Sequence, residues 1–177
     1  MSKSEPIKVR RAKPGDVAEI AAIHVRSWQA AYRGILPDDL LAGLSVKERE
    51  QSWRALLSGN EHHWLNLIAE GDRGPLGFCA VTTPSWDASA SERLAEVGAL
   101  YVDPGHWREG IGGALLRAAL LELKENAWSE VVLWVLPENR RALDFYAHFG
   151  FRVEEGVEKR EERSGWPVIR LRAPVGR

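Results

Sequence analysis

The sequence has little cysteine, little excess charge and no long apolar run. Cys79 is the single cysteine, so an internal disulfide framework is excluded. The formal net charge of −1 lacks the basic excess that is typical of a nucleic-acid-binding domain. No stretch approaches the roughly 18 apolar residues of a membrane span, and residues 1–13 contain no apolar run of a signal peptide. We therefore expect a cytoplasmic enzyme with neither a nucleic-acid nor a membrane partner.

The rest of the composition is that of an ordinary globular chain. Hydrophobic residues make up 45% and charged residues 28% of the 177 positions, which is usual for such proteins. A chain of this length can bury a substantial core in one unit. Because there is no repeat, linker or low-complexity segment, we expect residues 1–177 to form a single domain.

The stretch from residue 96 to residue 124 carries the strongest functional signal. A strand candidate at residues 96–102 is followed by a short loop and then by Gly110, Gly112 and Gly113, which open a segment with helical periodicity. The first N–H groups of a helix lack internal partners, and the helix dipole adds about half a positive charge there. Because glycine lets a ligand approach the backbone closely, this pattern predicts a phosphate site.

Spacing excludes two common phosphate motifs. In a P-loop, Lys and Ser/Thr would stand where Ile111 and Gly112 occur, and no residue here supplies the hydroxyl for Mg²⁺. In a dinucleotide-binding turn, a third glycine would stand at Leu115, and an acidic residue would end the next strand, whereas residues 131–136 are wholly apolar. The remaining interpretation is a pyrophosphate held by backbone N–H groups without a metal.

Two motifs in this chain resemble those of the GNAT superfamily of N-acetyltransferases. The family's acyl-CoA-binding motif, Gln/Arg-x-x-Gly-x-Gly/Ala, is similar to Trp107-Arg108-Glu109-Gly110-Ile111-Gly112, with Trp107 in the leading position. Residues 138–151 are similar to a second family motif. The resemblance implies an α+β protein with the GNAT (acyl-CoA N-acyltransferase) fold. That fold is a mixed, mostly antiparallel central sheet with a splayed parallel strand pair and helices on both faces.

The resemblance also implies an activity. Family members transfer an acetyl group from acetyl-CoA, as cosubstrate, to a primary amine by direct attack and without a metal. A small molecule and a peptide both remain open as the amine acceptor, and dimers are common in the family, so a homodimer is among the expected assemblies. The alternative is a non-catalytic acyl-CoA-binding or sensing module on the same fold. Such a module would lose Glu96 and Tyr146, and both are present.

The resemblance assigns the acetyl-CoA contacts to three segments. The strand pairs with the pantetheine arm, the glycine turn holds the pyrophosphate, and the start of the later helix hydrogen-bonds the pantetheine. The residues implied are Leu100, Tyr101, Val102, Arg108, Glu109, Gly110, Ile111, Gly112, Gly113 and Asn139. Trp28 and Tyr32 are expected to shape the acceptor pocket, although aromatic residues at helical spacing are also typical of a core.

Glu96 is the candidate general base. An amine with a pKa of ~10.4 is neutral in only roughly 1 part in 2,500 at pH 7, so a base assists the attack. By the period of two along a strand, we expect Glu96 on the same face as Gly98 and Leu100. A carboxylate that merely balances charge is the alternative role. Asp38 and Asp39 are other possible acids, although aspartate at a helix start usually caps the helix.

Tyr146 is the candidate general acid. A phenol with a pKa of ~10 can protonate a thiolate of pKa ~8.5 when the two are held in contact. The residue matches the tyrosine of the family's second motif, and the alternative is a core aromatic beside Leu143 and Phe149.

Overall fold

One seven-stranded sheet organises the molecule. The computed structural model describes residues 7–58, 63–84, 93–161 and 164–176. The strands are β1 (Lys8–Arg11), β2 (His63–Gly71), β3 (Gly74–Thr82), β4 (Leu94–Val102), β5 (Glu130–Val135), β6 (Arg152–Arg160) and β7 (Pro167–Pro174). Their order is β1-β2-β3-β4-β5-β7-β6, and every neighbouring pair is antiparallel except β4 and β5. The mixed, mostly antiparallel sheet is confirmed.

Helices cover both faces of this sheet. They are α1 (Val17–Ala31), α2 (Asp38–Ala42), α3 (Val46–Leu57), α4 (Ile111–Glu125) and α5 (Arg140–His148). The apolar stripe of α4, with Leu115, Leu116 and Leu123 fully buried, packs with α5 on one face. Helices α1 and α3 pack on the other face. Among the helices of the described ranges, none has the length and apolarity of a membrane-crossing helix.

The parallel pair β4 and β5 separates along its length. The two strands are in register only from Leu94 opposite Glu130 to Glu96 opposite Val132. Beyond that point β4 continues to Val102 and β5 to Val135 without pairing to each other. The splayed pair expected from the sequence is therefore present, and it opens a cleft in the middle of the sheet.

A bulge at Gly98 changes which face of the sheet the residues of β4 occupy. Ala80 of β3 lies opposite Ala99, whereas Val81 lies opposite Val97, so one extra residue is inserted on β4. Val97 and Leu100 consequently pack on the α4 face, whereas Ala99 packs on the α1–α3 face.

The bulge corrects the predicted position of Glu96. Glu96 pairs with Thr82, which by alternation shares the α1–α3 face with Phe78 and Ala80 of the same strand. The prediction that Glu96 shares a face with Leu100 is therefore wrong. The simple period of two fails because a bulge shifts the alternation by one residue.

Candidate active site

The cleft between β4 and β5 contains a cavity of about 520 Å³, which we call the large cavity. One wall is the unpaired part of β4, the other is β5, and the starts of α4 and α5 close the sides. Its lining includes the expected residues Tyr32, Leu100, Tyr101, Val102, Arg108, Gly110, Ile111, Gly112, Gly113, Asn139 and Tyr146. The structure thus brings together residues that are far apart in the sequence.

The glycine turn presents free backbone at one end of the large cavity. Gly110 is the N-cap of α4 with φ of +83°, a conformation that favours glycine. A Cβ at Gly112 would lie 3.5 Å from Phe145 and 3.7 Å from Val102, so the protein's own packing leaves ordinary room there. The space is available to a ligand that lies against the first N–H groups of the helix.

Positive charge surrounds this turn. Arg108 and Arg141 line the large cavity, and no aspartate or glutamate is among its described lining residues. Arg108 has φ of 69°, a left-handed conformation that is uncommon outside glycine. Burial and the nearby Arg108 lower the pKa of Arg141. The arrangement suits an anionic ligand.

Trp107 has a specific role in place of the family's leading Gln or Arg. Its Nε1 donates to the carbonyl of Val102 at 2.8 Å, and the guanidinium of Arg141 lies 3.5 Å from the centre of its ring. In such a cation–π contact the charged guanidinium is attracted to the face of the ring, so Trp107 holds Arg141 beside the glycine turn. Sequence reasoning missed Arg141 because the contact joins the glycine loop to α5, and no local pattern reports it.

Asn139 combines two functions at the start of α5. Its Oδ1 accepts a hydrogen bond from the N–H of Ala142 at 3.2 Å, so Asn139 is the N-cap of this helix. The side chain is buried and lines the large cavity. Within the described residues no acceptor binds its Nδ2, so the two amide hydrogens are available to a ligand.

Tyr146 lies on the wall of the large cavity opposite β4. Its ring packs edge-on against Phe145 and Phe151, with centroid distances of 5.1 Å and 5.6 Å. In the part of the chain that the structure describes, its hydroxyl has no hydrogen-bond partner. Burial raises the pKa of Tyr146 well above its usual range, and Cys79 and Tyr101 add smaller effects. The hydroxyl therefore keeps its proton.

Tyr32 and Trp28 occupy different places. Tyr32 lines the large cavity, and its ring lies edge-on to that of Trp28 at a centroid distance of 5.0 Å. Trp28 is only 7% exposed, donates from Nε1 to the Tyr101 hydroxyl at 2.9 Å, and is not among the lining residues. The indole supports Tyr101 from the core.

Two other predicted residues lie outside the large cavity. Glu109 is exposed, and its carboxylate is 3.1 Å from Nδ1 of His106. Glu96 is on the α1–α3 face of β4 and is the last residue of that strand in the parallel pairing with β5. A second cavity lies on that face, and Glu96 is not among its described lining residues.

This second cavity, which we call the small cavity, has a volume of about 160 Å³. Helices α1 and α3 form its outer wall, and β3 and β4 form its floor. Gly98 and Ala99 line both cavities, so the bulge of β4 is the partition between them. A molecule in the small cavity would meet one in the large cavity at this bulge.

Metal ligands do not come together in the described ranges. No three His, Cys, Asp or Glu side chains there are close enough to hold an ion. The site instead offers backbone N–H groups, arginines, an amide and a phenol.

Comparison with known proteins identifies the family and the fold. Residues 17–151 match the model of the acetyltransferase (GNAT) family. The fold is similar to that of the PaiA N-acetyltransferase from Thermoplasma acidophilum, crystallised in complex with coenzyme A. The two share 22% identity with a TM-score of 0.75, covering 96% of this chain and 99% of that one.

Two curated relatives cover most of the chain. The uncharacterized N-acetyltransferase YuaI of Bacillus subtilis is 31% identical over 92% of this chain and 94% of its own length. The probable N-acetyltransferase Rv2775 of Mycobacterium tuberculosis is 30% identical over 86% of this chain and 83% of its own length. The expected fold and enzyme class are confirmed, and the chain belongs to the acetyltransferase (GNAT) family.

Proposed function

We propose that this acetyltransferase moves an acetyl group from acetyl-CoA to a primary amine by direct attack at the Gly98 bulge. One observation supports this most. The large cavity joins a glycine turn with free N–H groups to an unpartnered tyrosine hydroxyl and then to the bulge shared with the small cavity. A long anionic cosubstrate and a separate acceptor can therefore approach one point from opposite faces of β4.

The residues of the large cavity fit acetyl-CoA. The N–H groups at residues 110–113 would hold the pyrophosphate, with Arg108 and Arg141 as its cations, and no described lining residue opposes that charge. Asn139 and the unpaired edge of β4 would bind the pantetheine amides. The structurally similar PaiA N-acetyltransferase was crystallised in complex with coenzyme A, which supports acetyl-CoA as the cosubstrate. Bound there, acetyl-CoA supplies an acetyl group activated as a thioester.

Tyr146 would give its proton to the departing sulfur. The raised pKa keeps the phenol protonated but also makes it a weaker acid. The same burial acts on a thiol, because it raises the pKa of the neighbouring Cys79 to about 12. A thiolate that leaves in this environment becomes a stronger base as well, so the proton transfer stays feasible.

Glu96 would accept the proton of the amine. The corrected position favours this role, since Glu96 lies on the face from which the acceptor would come. Asp38 and Asp39 are weaker candidates. Asp39 is engaged at the start of α2, where its Oδ1 accepts from the N–H of Leu40 at 3.0 Å.

An assay for free thiol tests the function. The protein is incubated with acetyl-CoA and a panel of primary amines, and calorimetry measures acetyl-CoA binding with and without a chelator. We expect metal-independent binding and amine-dependent thiol release. Binding without release with any amine would instead indicate the non-catalytic module, and binding lost with the chelator would contradict the backbone site. The cytoplasmic location, the homodimer and the single domain over residues 1–177 stay predictions.

A further inference from the structure

We propose that Arg49 binds a carboxylate of the acceptor in the small cavity, so that the acceptors are amino acids and similar amines that carry a carboxylate. This inference rests on the proposed acetyl transfer. It names the substrate class of the same site.

Arg49 is an unusual arginine. It lies on α3, is only 8% exposed and lines the small cavity. Buried arginines are almost always paired with a carboxylate. In the described ranges no aspartate or glutamate is within ion-pair distance of Arg49, and its contact there is the ring of Trp28, whose centre is 5.7 Å from Cζ. The face of an aromatic ring attracts a guanidinium. It offers no oxygen or nitrogen lone pair that could accept hydrogen bonds from the guanidinium N–H groups.

The other polar groups that line the small cavity carry no negative charge. Trp53 donates from Nε1 to Nδ1 of His24 at 3.1 Å. Because an indole N–H can only donate, Nδ1 is unprotonated and the proton of the neutral imidazole is on Nε2. Ser52 donates its hydroxyl to the carbonyl of Glu48 at 3.0 Å. No carboxylate is among the described residues that line the small cavity.

The charge of Arg49 and the volume of the small cavity favour a carboxylate on a small molecule. A guanidinium binds a carboxylate through two parallel hydrogen bonds, which is the geometry that arginine prefers. The volume of about 160 Å³ is below that of pockets for drug-sized ligands. A ligand carboxylate at Arg49 would leave the rest of a short amine directed at Gly98, where the two cavities meet.

The test uses matched pairs of acceptors. Turnover is compared for amino acids and for their amides, which keep the amine and remove the negative charge. We expect the wild type to prefer the acids by at least roughly tenfold in kcat/KM. Arg49→Met should raise KM for the acids roughly 10- to 100-fold and abolish the preference, because the charge-assisted hydrogen bonds are lost. The acetyl-CoA dissociation constant should not change, which also shows that the variant is folded.

Arg54→Met is the control on the same helix. Arg54 is exposed and pairs with Glu50 at 2.6 Å, so its loss should leave KM and the preference unchanged. Equal use of acids and amides by the wild type would overturn the carboxylate site while leaving acetyl transfer intact. A preference that survives in Arg49→Met would overturn it as well.

A second measurement separates this proposal from the function. If no amine is acetylated, calorimetry of the same acids and amides with the CoA-loaded protein still reports on Arg49. Binding of acids that disappears in Arg49→Met supports the site. Absence of any binding specific to acids contradicts it.

Discussion

The large and small cavities share the bulge at Gly98, but different parts of the chain line them. The large cavity includes backbone of a glycine turn, of a helix start and of the unpaired part of a strand. The small cavity is formed by side chains of α1 and α3 over the sheet. Backbone recognition suits a ligand of fixed structure, whereas side chains can change with the acceptor. We therefore expect a glycine substitution such as Gly112→Val to affect the large cavity, and a side-chain substitution such as Arg49→Met to affect the small one.

The largest effect is expected from Gly112→Val, which would break the backbone site. The new side chain would occupy the space beside the first N–H groups of α4, where Phe145 and Val102 leave only ordinary contact distances. Overpacking costs about 1–3 kcal/mol, and each 1.4 kcal/mol is tenfold in affinity. We expect CoA affinity to fall roughly 100-fold in calorimetry.

Ala114→Val is the control for this change. It places the same branched side chain one turn into α4, at a residue that does not line the large cavity. Its CoA affinity should equal that of the wild type. Equal losses in both variants would mean that the helix, rather than the phosphate contact, is damaged.

The next largest effect is expected from Tyr146→Phe. The ring and its packing remain, and only the unpartnered hydroxyl is removed. Loss of a general acid lowers turnover by roughly 10²- to 10⁴-fold, and we expect the lower end because a thiolate is a tolerable leaving group. CoA affinity should change little. Tyr101→Phe, which removes a hydroxyl that accepts a hydrogen bond from Nε1 of Trp28, should reduce stability more than kcat. Unchanged kcat in Tyr146→Phe would refute the assignment.

The pH profile gives a separate test of Tyr146. A raised pKa means that the protonated, active form persists at low and neutral pH and is lost only as pH rises through that higher value. The kcat of the wild type should therefore show no decline up to about pH 10, near the unperturbed pKa of tyrosine. A falling limb below that pH that is absent from Tyr146→Phe would contradict the burial argument.

An effect of similar size near pH 7, which shrinks at higher pH, is expected from Glu96→Gln. On the acceptor face a base is needed only while the amine is protonated. We expect kcat/KM to fall by roughly 10²-fold near pH 7 and the loss to shrink as pH approaches the pKa of the amine. A loss of equal size at every pH would assign Glu96 to structure or binding instead.

The smallest effect is expected from Arg108→Gly. A non-glycine residue at φ of 69° costs of order 1–2 kcal/mol, which glycine's greater flexibility in the unfolded chain partly offsets. A net gain of about 1 kcal/mol would raise Tm by about 2–4 °C. CoA affinity should weaken because a phosphate contact is lost. Ala127, at φ of 59°, lines neither cavity. Ala127→Gly should therefore raise Tm by a similar amount to Arg108→Gly and leave CoA affinity unchanged. Unchanged affinity in Arg108→Gly would remove Arg108 from the phosphate site.

The difference between the cavities also explains what the sequence could predict. The strand, glycine turn and helix follow each other directly in the sequence, so hydrophobic periodicity and the position of the glycines were sufficient to predict them. The bulge at Gly98 was missed because one extra residue leaves no mark in a run of small and apolar side chains. Arg49 was missed because a charged residue on a helix is usually exposed, and its burial depends on α1 and the sheet.

The cleft in the sheet has one further consequence, for self-association. Free strand edges invite pairing with other chains, and proteins usually protect them. The outer edges here follow that rule: β1 has four residues, three of them basic, and β6 is rich in Glu, Lys and Arg. The inner edge of β4, with Gly98, Ala99 and Leu100, carries no charge. Its protection is its position, because β5 and the starts of α4 and α5 enclose this edge within the fold.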